Sequence, residues 1–455
     1  MRSNSLAAVM AAICITVGIL YPASRSLAQD APPPAPTGAK LTPPDYVFNS
    51  NIPSDIVTIG LGANGTQPFV DNLAWNTFIA LNWPAPQPLT QRGVPNRQNV
   101  TGGLKYGAEL RKVVMPTGPV VWETFKDTND IFLPSAAKPA AFDAPPAIPS
   151  ACASLAQKDP AATLHILRDT TQAFTGHPLI DQNGKMVWYE VKLNRAYYDY
   201  VVNNGFYDSR KQKGKTIDFP SSSNNTLQAP VIKVKAAWMI MTADQAKSGQ
   251  FYTVAALLFD QADNTCSEQT VGLVGLHVVQ KTEQFQQWAW ATFEHVNNAP
   301  DKPVTEGHFN FYNPACLPAQ CPQNTYPSKS GPNGPTQVVR DVPIDNSAVN
   351  ANTTFQAALK TLRSDNVWQY YMLVDSQWGP LNAQLPLGTP AQPKYLANTT
   401  METYLQTPED ANPPHSCITC HARAEKGKGD LDFQLSKAYP HDKQTEVLLK
   451  EAFMH

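Results

Sequence analysis

Two cysteines and a histidine near the end of the chain have the spacing of a covalent cofactor site. Cys417 and Cys420 lie three positions apart, and His421 follows directly. This spacing is typical of the attachment of a c-type haem. Each thiol adds to one haem vinyl group, and the imidazole is the proximal ligand of the iron. The pentapeptide therefore predicts one covalently bound haem c, with His421 as the metal ligand.

Three other interpretations of these residues stay open, although the haem is favoured. A CxxC redox pair belongs in a βαβ context, whereas two prolines and a histidine precede this motif. A zinc site needs a fourth ligand, and the sequence has no second CxxC or HxxxH pair to supply it. A disulfide between Cys417 and Cys420 is the simplest alternative.

The first residues of the chain predict export. A short basic stretch precedes an apolar run, Leu6–Leu20, and Ser26 and Ala28 are small residues suited to cleavage after Ala28. The apolar run is short for a bilayer span, so we expect a signal peptide over residues 1–28 and no transmembrane segment after its removal. Because c-type haem is attached outside the cytoplasm, the motif and the signal peptide both predict a periplasmic protein.

The composition argues for a large folded body and against some partners. The formal net charge of −2 shows no basic excess, so neither nucleic acid nor an anionic membrane surface is an expected partner. The hydrophobic fraction is 42 % over 455 residues. A small haem carrier needs only about 100 residues, so we expect a substantial buried core in addition to the haem segment.

Four cysteines are left when Cys14 and the two motif cysteines are set aside. They allow three pairings, and an oxidising compartment favours two disulfides. The short spacing of Cys316 and Cys321 predicts a local link within one loop. Cys152 would then pair with Cys266 and join a loop to the central sheet.

Hydrophobic patterns predict the elements that carry these residues. Apolar residues over 72–83 predict a buried helix that ends at Pro84. Alternation over 185–193 predicts a half-buried strand, and Asn194 is the expected N-cap of a helix over 195–203. Further strands are predicted at 120–125, 231–241, 250–259, 270–280, 287–296 and 370–378, and further helices at 353–362, 400–405 and 443–453.

Four of these strands follow one another between residues 231 and 296 with no helix between them. Such a series indicates an antiparallel sheet. We therefore expect a β-rich α+β fold, in which a large antiparallel sheet body, sandwich or barrel-like, carries a few helices and a C-terminal haem-c segment. The expected regions are a signal peptide at 1–28, a Pro-rich arm at 29–48, the β-rich body at 49–380 and the haem-c-binding segment at 381–455.

The motif resembles the CxxCH haem-attachment motif of bacterial c-type cytochromes. The wider sequence resembles a group of large exported bacterial proteins of the cytochrome c family that carry a single C-terminal CxxCH. The residues of this wider resemblance are 78–84, 275–277, 281–282, 288–295 and 416–421. The resemblance implies a haem and export, and it implies no particular substrate.

The second axial position of the iron has several candidate ligands. A self-contained class I cytochrome c domain ends with a methionine ligand, but only 34 residues follow His421 here and Met454 is the only methionine among them. A ligand from the body is therefore expected. His277 is the first candidate, because it alternates with apolar residues on a predicted strand and Gly275 leaves space beside it; His295 on the next strand is the second. The other candidates are His165, His308, His415, His441 and Met454.

Each of the two leading histidines has more than one interpretation. His277 and His295 are predicted as a sixth ligand or as a distal acid–base residue. A core histidine bonded to a neighbour is the alternative for His277. Glu294 alternates to the face opposite His295, so these two are not expected to act as a pair.

Three functions follow from these alternatives. The favoured one is a periplasmic single-haem c-type cytochrome that exchanges electrons with a redox partner protein. The second is a haem-dependent oxidoreductase, a peroxidase or oxygenase, with an open distal site for a small-molecule substrate. The third is a haem-based sensor or binding protein. The motif favours the first function, and the size of the body favours the second.

Overall fold

The computed structural model describes residues 50–56, 66–87, 89, 91–96, 118–172, 175–223, 229–316, 319–327, 334–379, 391–406, 416–425 and 430–440. The predicted signal peptide, the Pro-rich arm and the predicted helix over 443–453 lie outside these residues. So do three candidate ligands, His415, His441 and Met454.

An eight-stranded sheet forms the centre of the described structure. The strands are β1 Lys126–Asp127, β2 Ile166–Leu167, β3 Trp188–Leu193, β4 Val231–Ile240, β5 Thr253–Asp260, β6 Thr265–Lys281, β7 Ala289–His295 and β8 Tyr371–Gln377. Their order is β1-β3-β4-β6-β5-β2, with β7 against β6 and β8 against β7. All pairs are antiparallel except β2 with β5. The predicted β-rich α+β class and the antiparallel sheet are confirmed; the described strands form an open sheet.

Strand β6 is long enough to join two parts of the sheet. It has 17 residues, and β4 pairs with it over 271–281 on one side. On its other side the first part of β6 pairs with β5 over 265–272, and the second part pairs with β7 over 275–280. Because a strand has only two edges, this change of neighbour splits the sheet into two arms. The arm that continues through β7 and β8 carries His277.

Helices cover one face of that arm. The seven described α-helices are α1 Gln67–Leu81, α2 Ala153–Lys158, α3 Arg195–Asn204, α4 Ser209–Gln212, α5 Ala243–Lys247, α6 Asn346–Leu362 and α7 Cys417–Glu425. Trp75 of α1 stacks on Phe355 of α6 with ring centroids 5.1 Å apart, and Phe78 stacks on Phe293 of β7 at 4.3 Å. These aromatic contacts cover one face of this arm of the sheet.

Most of the predicted elements are confirmed, and one, the strand over 120–125, is wrong. A short helix, α5, also lies between β4 and β5, where no helix was predicted. Asn194 caps α3 by accepting a hydrogen bond from the backbone of Tyr197 at 3.1 Å. The predicted strand over 120–125 is a 3₁₀ turn, because the Glu123 carboxylate accepts a bond from the Val120 N–H. Helix α6 begins earlier than predicted, since Asp345 caps it.

Both predicted disulfides are present. The sulfur atoms of Cys152 and Cys266 are 2.02 Å apart, and those of Cys316 and Cys321 are 1.94 Å apart. The first bond joins the turn before α2 to β6. The second bond closes a short surface loop.

Candidate functional site

The predicted haem-attachment motif forms the start of α7, which lies on the uncovered face of the sheet. Ile418 is buried against an apolar cluster that includes Trp290 of β7. Its backbone N–H donates to Oε1 of Gln377, the last residue of β8, at 2.8 Å. The first N–H groups of a helix have no partner within the helix, so this bond both satisfies one of them and fixes the start of α7 on the sheet.

The two motif thiols are not bonded to each other. Cys417 and Cys420 are free and partly accessible, whereas the other four described cysteines are in disulfides. Residues three apart in a helix lie on the same face, so both thiols belong to one side of α7. Burial raises the pKa of both thiols. The structure therefore shows a pair of available thiols and not the disulfide of the simplest alternative.

His421 has one ring nitrogen bonded and one left over. Its Nδ1–H donates to the backbone carbonyl of Leu431 at 2.8 Å, and its ring packs against Trp290 and Phe433 at centroid distances of 4.4 and 5.0 Å. Burial lowers the pKa of His421 to about 3, so the ring is neutral and Nε2 holds a lone pair. A histidine whose second nitrogen is fixed in this way is typical of a metal ligand.

The carbonyl that orients His421 belongs to an unusual loop. Asp430 and Leu431 have φ angles of 49° and 56° although neither is glycine, a backbone conformation that costs free energy unless other contacts hold it. The Asp430 carboxylate pairs with Lys281 of β6, and the Asp430 carbonyl accepts from Nε1 of Trp288 at 3.1 Å. These contacts place the Leu431 carbonyl behind the imidazole.

A row of polar side chains crosses the sheet beside α7. Lys235 on β4 pairs with His277 on β6, and His277 pairs with Thr292 on β7. Directly paired residues share a face of the sheet. The neighbouring row contains Val279 and Trp290, which lie in the same apolar cluster as Ile418 of α7. The polar row therefore lies next to the helix and not underneath it.

A turn over residues 398–403 lies on the other side of this polar row. A Cβ atom at Gly275 would collide with Oγ1 of Thr400, so glycine is required there for the turn to reach the sheet. The expectation that Gly275 leaves space for a haem ligand is wrong, because the turn fills that space. We call the space between α7 and this turn the trough; its floor is formed by Lys235, His277 and Thr292.

His277 is bonded through both ring nitrogens. Nε2 lies 2.9 Å from Oε1 of Glu402, and Nδ1 lies 2.8 Å from Oγ1 of Thr292. Because the Thr292 oxygen accepts from the Asn398 side chain at 2.7 Å, its own proton is available for Nδ1, and Nε2 then donates to Glu402. This tautomer leaves His277 no lone pair for an iron atom. The histidine bonded to neighbours is thus the arrangement that the structure shows.

The side chains of the trough lie close to the motif. The Glu402 side chain is 26 % exposed, so part of its surface is open beside His277. After burial, the Glu402 charge is the largest influence that raises the pKa of Cys417. His277 and Lys235 contribute to the lowered pKa of His421, for which burial is again the main cause.

His295 lies on the opposite face of the sheet from the trough. It is fully buried and stacks on Phe251 at 4.0 Å. Its Nε2–H donates to the Gln250 carbonyl at 3.0 Å, and its Nδ1 accepts from the Asn297 N–H at 3.2 Å. It therefore does not share a pocket with His277. Of the remaining candidates, His165 is buried between two glutamates on the helix-covered face and His308 is exposed.

The buried, neutral state of His295 predicts a loss of stability in acid. Burial lowers its pKa from 6.5 to about 4, so the unfolded chain binds a proton here at a higher pH than the folded chain. Stability falls as the pH drops from 6.5 towards 4, by about 3 kcal/mol. Urea unfolding at pH 7.5 and pH 4 should show this loss in the natural protein and a smaller loss in His295→Gln. Equal losses in both proteins would contradict the assignment.

The comparisons with known proteins add no relative. No protein-family model, no curated protein and no solved structure matches the chain. Among the described residues, no helix is both long and apolar enough to cross a bilayer. No three His, Cys, Asp or Glu side chains of the same residues are grouped as ligands of a bare metal ion. A haem brings four ring nitrogens of its own, so a single histidine is a sufficient protein ligand for its iron.

The residues present fit a haem c. Cys417 and Cys420 are available for two thioether bonds, and His421 presents a neutral imidazole with Nε2 unbonded in the described part of the chain. The trough beside them is bordered by both polar and aromatic side chains. When bound, a haem supplies reversible one-electron chemistry.

Two parts of the site escaped prediction from the sequence. Glu402 is 125 positions away from its partner His277, and nothing in its local sequence marks it. Leu431 acts through its backbone carbonyl, which has no side-chain signature at all. The only local signal was a pattern of acidic residues after the motif, Asp430 and Asp432, that also suits an ordinary surface turn.

Proposed function

We propose that the protein is an exported, periplasmic single-haem c-type cytochrome that transfers electrons to or from a redox partner protein. Cys417 and Cys420 would hold the haem covalently, and His421 would ligate the iron. The bond from Nδ1 of His421 to the Leu431 carbonyl carries the proposal, because it leaves Nε2 as the free nitrogen of a fixed ring beside two unpaired thiols.

The surroundings of His421 suit electron transfer. Trp290 and Phe433 pack against the ring and exclude water from it. The hydrogen bond from Nδ1 to a neutral carbonyl fixes the orientation of the ring without adding a charge. A site held in one geometry needs little rearrangement when the charge of its cofactor changes. The chain thus contributes attachment, orientation and exclusion of solvent.

A specific observation favours a second candidate, a haem-dependent oxidoreductase with a small-molecule substrate. The hydrogen-bonded pair of His277 and Glu402 faces the trough on the side opposite α7. An electron-transfer protein requires no such acid–base pair, whereas proton transfer to a substrate does. The two candidates share the haem and its exchange of electrons, and they differ in whether a substrate also enters the trough.

The proposal is tested by the absorption spectrum of protein matured in the periplasm of a host that attaches haem c. We expect a Soret band and reversible reduction. A low-spin ferric spectrum and a ferrous form that does not bind carbon monoxide would support electron transfer alone. A ferrous form that binds carbon monoxide would support the second candidate. A protein without a Soret band would refute both.

A further inference from the structure

We infer that the wall of the trough opposite α7 is a proton-transfer site for a hydroperoxide, with Glu402 as the catalytic acid–base group and His277 as its positioning residue. This inference rests on the haem of the proposed function and deepens its second candidate. It assigns a role to Glu402, a residue that the sequence did not single out.

The directions in which the two ring nitrogens of His421 point show where the motif lies relative to this wall. Nδ1 points to Leu431, in the loop that Asp430 ties to Lys281. Lys281 pairs with Val231 at the end of β6, two rows beyond the polar floor of the trough. The two nitrogens of an imidazole point in nearly opposite directions, so Nε2 points back towards the trough.

The turn over 398–403 brings Glu402 to the other side of the same trough. Thr399 fixes the turn through two hydrogen bonds to the buried Glu294 carboxylate. Asn398 donates to the Thr292 hydroxyl at 2.7 Å. Close contact of the turn with the sheet is possible because Gly275 has no side chain. Glu402 is therefore carried on a rigid support, as an acid–base group requires.

Glu402 is held as a carboxylate with one direction left open. Oε1 accepts from His277 and Oε2 accepts from the backbone N–H of Asn398 at 3.0 Å. Each carboxylate oxygen has a second lone pair, and the side chain keeps 26 % of its surface exposed to the trough. Burial alone would raise the pKa of Glu402, but its interactions with His277, Lys235 and the backbone N–H of Asn398 outweigh burial and lower it. The group is thus a base that can accept a proton from a molecule in the trough.

A lysine lies beside Glu402 in this space. Lys235 is on the floor next to His277, and its charge lowers the pKa of Glu402. A base with a fixed cation beside it suits a small molecule that gives up a proton and becomes an anion.

A hydroperoxide is the substrate class that uses all these features. The reaction is ROOH with two electrons and two protons giving ROH and H₂O. Glu402 takes the proton from the O–H group and returns it to the leaving oxygen as the O–O bond breaks. The two electrons come one at a time from a reduced redox partner protein, and both protons of the equation come from solvent and convert the other oxygen to water. Glu402 moves only the proton of the hydroperoxide itself, from one oxygen to the other.

The test uses the haem-loaded full-length protein and hydrogen cyanide as the probe. Hydrogen cyanide must lose its proton to a base when cyanide binds a ferric iron, so its association rate reports on the base without requiring turnover. We expect Glu402→Gln to slow this association roughly 100-fold, and His277→Gln to slow it less. The rate of reaction with hydrogen peroxide should fall in the same order. Glu268→Gln, the same change at an exposed position of β6, is the matched control and should react like the natural protein.

The outcomes separate this inference from the proposed function. A protein without a Soret band refutes the haem itself. A natural protein that has its Soret band but binds no cyanide overturns the inference whether or not the variants fold. Equal cyanide rates in the natural protein and in Glu402→Gln, with covalent haem retained in both, overturn it too. If Glu402→Gln fails to fold, His277→Gln and the natural protein still decide the question.

Discussion

Replacement of both Cys417 and Cys420 by serine should give a protein that releases all of its haem when it is denatured. The two thiols are the only free cysteines in the described part of the chain, and both lie on one side of α7. Serine keeps the size and polarity of each side chain but forms no thioether. Haem staining of a denaturing gel, after maturation in the periplasm, measures the result directly. A stained band at the size of the double variant would contradict the central proposal.

A matched pair of cysteines provides the control. Cys316 and Cys321 form a disulfide in a loop that contains no residue of the motif. Their replacement by serine removes the same number of sulfur atoms and should leave haem staining unchanged. The single variant Cys420→Ser should retain one thioether bond through Cys417 and show a shifted absorption band in the reduced state. The comparison separates loss of attachment from a general defect in export or folding.

The sequence predicted only those site residues that lie next to one another in the chain. Cys417, Cys420 and His421 lie on one turn of a helix, so their spacing alone relates them. Leu431 reaches His421 only because Asp430 pairs with Lys281, which is 149 positions earlier. A backbone carbonyl presented by a left-handed loop has no pattern in the sequence. The sequence around the motif therefore does not indicate the groups that orient His421.

The same distinction applies to the fold. The segments of β4 to β7 are four strand-like runs that follow one another along the chain, so their order predicted the antiparallel pairing. The segment over 120–125 has the composition of a strand, yet Glu123 folds it into a turn because its carboxylate serves as a partner for distant groups, among them His165 and Tyr252. The contacts of the buried Glu123 carboxylate with these distant groups outweighed the preference of the segment for a strand.

The alternation of residues along a strand also does not predict the partners of its histidines. His277 lies on the trough face of its strand, but its partner Glu402 comes from a turn 125 residues later. His295 is three positions after Thr292 on β7, so it faces the other side of the sheet from the trough. Alternation along a strand shows which of its residues share a face. What packs against that face depends on other parts of the chain.

Replacement of His165 by glutamine should lower the free energy of unfolding by about 4 kcal/mol. His165 is buried between two carboxylates, with Nε2 3.0 Å from Glu123 and Nδ1 2.8 Å from Glu190. Although burial favours the neutral ring, the two glutamates outweigh burial and raise the pKa of His165 to about 9. The ring is therefore a cation at neutral pH. Without it two buried carboxylates face each other, and only Lys192, 3.2 Å from Glu190, offsets their charge.

The dependence of this effect on pH distinguishes lost charge from lost packing. The folded pKa lies above the unfolded value of 6.5, so the folded state binds the proton more tightly. The stabilisation is complete below pH 6.5 and is lost as the pH rises through about 9. Urea unfolding of the natural protein and of His165→Gln should differ most at pH 6 and much less at pH 9.5. A difference that stays constant across this range would show that packing, and not the imidazolium charge, stabilises the site.

A double variant and the absorption spectrum of the haem give two further tests of the role of His165. Glu123→Gln removes one of the two carboxylates, so combining it with His165→Gln should cost less than the sum of the single changes. His165 and Glu123 belong to the network around Trp238 on the helix-covered face, on the other side of the sheet from the trough. The absorption spectrum of the folded, haem-loaded variants should therefore match that of the natural protein. A changed spectrum would mean that this network also sets the geometry of the trough, because β4 carries Trp238 on one face and Lys235 on the other.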